Sequence, residues 1–282
     1  VTNCTVSDNS MWSWSQGYNI NWGYGGGLFL NSGNPTVIAS RVTGNFPRNA
    51  SGGGIYMGAG MVVGNSICSN MSGVGGSGGG VIIYGGMVSN CYIAGNVSSN
   101  WDGGGVYMNY GTLAQSTIFS NTVGRYGGGI RTWQGGTVVD CRIIANVSTN
   151  LTTAGGYGGG LFLQGGLVDR CYIATNFAYP THGGGVYLGD NTYPSRIRNS
   201  IVVRNIAAGV GGGIYNYYST IENCTLTENQ SVEATGGGVF NDANGNLYNS
   251  ILWNNRCGAR AEYNDVYWYG GWVSNSCFLP YL

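Results

Sequence analysis

The sequence predicts an all-β chain wound as a right-handed parallel β-helix of about ten to eleven coils, and three observations predict it. Nine glycine triplets begin at Gly25, Gly52, Gly78, Gly103, Gly127, Gly158, Gly183, Gly211 and Gly236, so they recur every 24 to 31 residues. Each is followed by an asparagine 18 to 22 residues after its first glycine: Asn45, Asn70, Asn96, Asn121, Asn146, Asn176, Asn205, Asn229 and Asn255, with Asn9 as a further copy ahead of the first triplet. Short β-branched runs lie between them without a 3.6-residue apolar period, which is strand patterning. A coil of this kind buries its apolar face only against copies of itself.

One repeat, GGGVIIYGGMVSNCYIAGN from Gly78 to Asn96, shows the elements in order. The triplet permits positive φ and close approach between coils. An aliphatic–aromatic–aliphatic strand follows, and its middle position forms a column: Phe29, Tyr56, Ile82, Tyr107, Arg131, Phe162, Tyr187, Tyr215 and Phe240. The residue before each is Leu, Ile or Val, so strand alternation sends that one to the core and the column outward. Three readings of the column stay open: rings that stack and stiffen the sheet, a flat strip for sugar rings or a neighbouring rod, or a column that faces inward after all.

A second strand leads to a column of small residues: Cys4, Ser40, Asn65, Cys91, Ser116, Cys141, Cys171, Ser200, Cys224 and Ser250. Cysteine there acts as a small hydrophobe in an inner stack. Cys141 and Cys171 are on adjacent coils, within bridging reach, and Cys257 and Cys277 lie off the column as a second candidate disulfide. The repeat closes on its asparagine, whose amide is suited to a ladder running from coil to coil. The arm from triplet to asparagine is 18 residues in five of nine repeats, whereas the return varies from 6 to 16. Length is held where strands stack and relaxed where loops protrude.

The whole chain, residues 1–282, reads as one solenoid domain. Two departures stand out: an aromatic insertion over residues 10–24 carrying Trp12, Trp14 and Trp22, expected to be an interface or a cap on the first coil, and an atypical terminal coil over residues 256–282. Charged residues make up 8% of the chain, 11 Arg against 11 acidic residues with no Lys. That balance provides no basic footprint for nucleic acid and no polybasic membrane patch. No run of 18 apolar residues exists, so no transmembrane helix is expected. Eight cysteines, sequon-like triplets and abundant Tyr and Trp suit an extracellular or cell-surface protein. Of the sequons, those at Asn70, Asn96, Asn146 and Asn229 coincide with the ladder, and Asn49 and Asn150 lie in variable loops. The chain opens on Val1 inside a repeat, which leads us to expect either a removed leader or a segment of a longer polypeptide.

The GGGIY, VSNCYIAGN and YNSILWNN elements resemble those of right-handed parallel β-helix repeat proteins of bacterial surfaces. These include polymorphic outer-membrane proteins, with their glycine-glycine-aliphatic repeats, and large secreted adhesin-like proteins. The resemblance implies the fold along nearly the whole chain and a surface location; it implies no particular chemistry.

Nothing in the sequence assembles a catalytic set, and no metal or other cofactor is expected. No Cys-x-x-Cys occurs and His182 is the sole histidine, against metal binding. The triplets recur with no helix after them, so they are not phosphate loops. Asp140 and Asp169 come nearest to a carboxylate pair, but their offsets from the column cysteine differ by one residue, which predicts opposite faces. The function expected first is a non-catalytic extracellular structural protein whose partners are copies of itself, stacked end to end as a filament or surface fibre. The alternative is a monomeric cell-surface adhesin or carbohydrate-binding segment, and a polysaccharide lyase or hydrolase ranks third.

Overall fold

Like residues lie over like residues throughout the coil stack. The computed structural model describes residues 1–10, 23–149, 155–189, 191–232, 235–242, 244–258, 262–263 and 265–278. In the coil that follows Gly78, strands form at Val81–Ile83, Met87–Ser89, Tyr92–Ala94 and Val97–Ser98. Strands equivalent to these in successive coils define faces 1 to 4 in that order: three ten-stranded sheets and one of eight strands. Pairing is parallel and in register, with Val81, Ile82 and Ile83 beside Val106, Tyr107 and Met108 on one side and Ile55, Tyr56 and Met57 on the other. The protein is therefore an all-β parallel β-solenoid. It has about nine turns, slightly fewer than the ten to eleven expected, because ten rungs on a face enclose only nine steps. At ~4.8 Å per step the stack is about 43 Å long. The regular pattern ends in face 4, where Arg256–Cys257 pairs antiparallel with Glu262–Tyr263.

The core is filled by the flanking positions of face 1 and the middle positions of faces 2 and 3. Val81, Ile83, Val88 and Ile93 represent one coil, and all four are fully buried. Full burial of each such side chain contributes roughly 1.5–3 kcal/mol.

Each glycine of a triplet answers a different constraint. Gly78 has φ +66°, a left-handed turn into face 1. A Cβ on Gly79 would sit 2.4 Å from the carbonyl oxygen of Gly104 in the next coil. A Cβ on Gly80 would sit 2.9 Å from the side-chain nitrogen of the ladder residue Asn96. The triplet thus combines a turn, a close coil contact and clearance for the amide.

That amide ladder is continuous. Asn9 donates to Asn45, and the chain of Nδ2–H···Oδ1 bonds passes through Asn70, Asn96, Asn121, Asn146, Asn176, Asn205 and Asn229 to Asn255, each 2.8–3.0 Å. Every described acceptor amide also receives the backbone N–H of the residue one coil back, as Asn121 does from Asn96 at 3.0 Å. The last rung is Asp265, whose Oδ1 accepts from both the backbone N–H and the side chain of Asn255. Ladder residues from Asn45 to Asn255 are at most 1% exposed, so the sequons among them are buried.

The Cys/Ser column packs inward as expected, with Cys91, Cys141, Cys171 and Cys224 all buried. Of the candidate pair Cys141 and Cys171, on adjacent rungs, both are free thiols: Cys141 donates to the carbonyl of Val139 at 3.2 Å and Cys171 to that of Asp169 at 3.3 Å. Cys257 belongs to face 4, whereas Cys277 bridges to Ile251 of face 3, so the two occupy different sheets.

Candidate functional site

The outer row of face 1 is aromatic, but a second row of rings covers most of it. Within the row, Phe29 meets Tyr56 at 5.2 Å with the rings tilted, while Phe162 stacks on Tyr187 at 4.7 Å, Tyr187 on Tyr215 at 4.6 Å and Tyr215 on Phe240 at 5.3 Å. The covering rings come from the residue just before four of the nine triplets: Tyr24, Tyr126, Tyr157 and His182 contact Tyr56, Phe162, Tyr187 and Tyr215 at 4.6–5.5 Å. The column faces outward, as alternation predicts, and its rings do stack. It is not a flat open strip: Phe29 is 49% exposed, while Phe162 is only 8% exposed. Trp12, Trp14 and Trp22 lie outside the described residues.

A carboxylate and a guanidinium enter these two columns at neighbouring coils. The pre-triplet position is Asp102 between Ser77 of one neighbouring coil and Tyr126 of the other, and the face 1 row has Arg131 between Tyr107 and Phe162. Arg131 lies one coil beyond Asp102, so the two charges meet. Its Nε is 3.5 Å from Asp102 Oδ2, and Arg125 Nη1 approaches Asp102 Oδ1 at 3.8 Å. The Arg131 guanidinium takes the place of a ring, lying 4.3 Å above Phe162 and 5.2 Å from Trp133. It also donates to the carbonyl of Thr132 and to the side chain of Gln164. Arg125 lies over Trp101 at 5.2 Å and over Tyr126 at 4.5 Å.

Around this pair opens a cleft of about 660 Å³, walled by Trp101, Tyr107, Tyr126, Trp133, Phe162 and Tyr187. Trp101 and Trp133 form its accessible rims, at 42% and 38% exposure. Burial pushes the Asp102 carboxyl up from its usual range, against the opposing pull of Arg131 and Arg125. Burial also pulls Arg131 down, with Asp102 opposing, and raises the Tyr107 hydroxyl to about 12. Both ion-pair distances exceed hydrogen-bonding range, and Asp102 Oδ1 and Arg131 Nε have no hydrogen-bond partner. Buried polar groups are ordinarily satisfied, so an exception of this kind marks a functional candidate. Desolvated charge, convergent rings and volume together suit the binding of a small, ring-shaped polar ligand.

The column pattern in the sequence contains Arg131 but does not by itself bring Asp102 to it. The available signal was charge: Arg131 is the one charged residue of its column, and Asp102 is the one acid just before a triplet, one coil away. A second charged cluster corrects the expected separation of Asp140 and Asp169. Arg170 donates to Asp140 from Nε at 2.8 Å and Nη2 at 3.0 Å, and from Nη1 to Asp169 at 2.8 Å. Arg198 and Asn199 add bonds to Asp169 at 3.2 and 2.8 Å. Asp140 and Arg170 occupy left-handed corners, φ +55° and +52°, where strand alternation no longer applies. For Asp169, burial pushes the carboxyl up, but hydrogen bonds from Asn199 and Arg198 outweigh it and leave the group below its usual range.

Among the described residues, no group of three or more His, Cys, Asp or Glu is placed to hold a metal ion, and no helix is long and apolar enough to cross a membrane. Comparison with protein-family models, with curated proteins and with solved structures gave no match for this chain.

Proposed function

We propose that this solenoid is a non-catalytic, extracellular carbohydrate-binding module whose site is the cleft around Asp102 and Arg131. The observation that carries the reading is the juxtaposition of aromatic walls with an incompletely hydrogen-bonded carboxylate–guanidinium pair. Rings offer flat apolar faces to the C–H face of a sugar, while charged groups exchange strong hydrogen bonds with its hydroxyls. A surface location of the adhesin type, implied by the resemblance of the repeats, fits a rigid rod that displays such a site. Among the described residues that line the cleft Asp102 is the one carboxylate, whereas glycoside hydrolysis ordinarily uses two.

The test is a glycan array probed with the whole chain and with Trp133→Ala. The parent should retain a defined set of glycans, and loss of one stacking wall, worth about 1–1.5 kcal/mol, should weaken them roughly tenfold. An array on which the parent retains nothing would contradict the proposal. A filament of end-to-end copies is a second reading, and one observation favours it. On the outermost coil, Trp268, Tyr269 and Trp272 are 60–72% exposed, a surface that a further coil would cover. Electron microscopy showing only isolated rods would oppose this second reading.

A further inference from the structure

The orphaned atoms at the base of the cleft specify the kind of sugar it takes. Asp102 Oδ1 is an acceptor without a donor, and Arg131 Nε is a donor without an acceptor. A group that donates and accepts at once completes both, and a hydroxyl does this. A carboxylate only accepts, and it would bring a second negative charge against Asp102, which is itself 94% buried (6% exposed). Like charges at short range in a desolvated site are strongly disfavoured. The terminal nitrogens of Arg131 already donate to the neutral Thr132 carbonyl and Gln164 side chain, so a carboxylate finds no paired N–H fork on it. Arg125 covers Oδ1 at 3.8 Å, is about a third exposed (31%), and rests on the rings of Trp101 and Tyr126. Its displacement by an incoming ligand bares the acceptor.

We infer that the cleft selects uncharged, hydroxyl-rich sugar units and rejects uronate-type units, with Asp102 as the specificity-determining residue. The inference rests on the carbohydrate reading above. Sugar hydroxyls donate to Asp102 and accept from the guanidinium groups, while the ring stacks against the aromatic wall. A site that satisfies hydroxyls in this way discriminates because the wrong ligand leaves its polar groups unpaired.

The experiment uses the whole chain on glycans arranged in matched pairs: oligogalacturonides and their carboxyl-reduced counterparts, and sialylated glycans and their desialylated forms. The expected result is that each bound pair favours the uncharged member by about tenfold or more, and that Asp102→Asn narrows the preference to about twofold. Equal or better binding of carboxylated members overturns the inference and leaves the carbohydrate reading standing. Absence of binding to every glycan overturns both. Should Asp102→Asn fail to fold, the selectivity of the parent protein still decides the matter.

Discussion

Replacing Asn121 by Ala cuts the amide ladder near its middle, and the structure sets the size of the effect. The Asn121 side chain takes part in four hydrogen bonds: two accepted from the backbone and side chain of Asn96, and two donated, to the Ile93 carbonyl and to Asn146 Oδ1. Asn146 keeps the backbone N–H of Asn121 as a donor. The backbone N–H of Asn96 and one of its amide hydrogens are left without acceptors at a fully buried site. An unsatisfied buried donor costs about 1–3 kcal/mol, so the pair predicts a loss of about 4 kcal/mol. Asn9→Ala is the control. It removes one side-chain bond at an exposed rung and should cost about 1 kcal/mol. Because coils contact only their neighbours, the Asn121 lesion should also split guanidinium unfolding into two phases, one for the coils on each side. Circular dichroism reads both effects. A loss at Asn121 below 1 kcal/mol, or equal to that at Asn9, would refute the reasoning.

Three further outcomes are expected. Gly104→Ala would place a methyl carbon 2.4 Å from the carbonyl oxygens of both Gly128 and Thr122; thermal melting should show a loss of about 3 kcal/mol. Ala145→Gly relieves a left-handed φ of +55°, trading a strain of about 1–2 kcal/mol against about 0.5–1 kcal/mol of added chain entropy, so the melting temperature should rise. Asp169 has a folded pKa below its usual value, so its stabilisation is present above the ordinary carboxylate pKa and lost as pH falls through the folded one. Asp169→Asn should therefore cost stability at pH 7, with the difference from the parent closing in acid, as denaturant midpoints at the two pH values would show.

The solenoid was legible in the sequence because each coil repeats the same solution. The Asn column, the Cys/Ser column and the aliphatic flanks of face 1 are local patterns, and register stacking turns them into a ladder and a core without further information. What escaped the reading depends on corners and on adjacency between different columns. Asp140 and Arg170 sit at left-handed corners, where counting odd and even positions loses its meaning. Asp265 closes the ladder ten residues after Asn255, where the repeat length no longer holds. Asp102 and Arg131 belong to two different columns, and only the coiling of the chain brings their charges together. The covering row of Tyr24, Tyr126, Tyr157 and His182 lay in plain view before the triplets, yet those residues fall in the segment of variable length, where no column was expected.

Calorimetric titration of the whole chain with a glycan it retains, run beside Trp101→Ala and Phe29→Ala, bears most directly on the cleft. Both variants remove an exposed ring, but Trp101 walls the cleft and Phe29 lies several coils away at one end of the same aromatic face. The structure predicts an affinity loss of about tenfold for Trp101→Ala and no change for Phe29→Ala. Equal losses in both, or undiminished binding by Trp101→Ala, would contradict the assignment of the site.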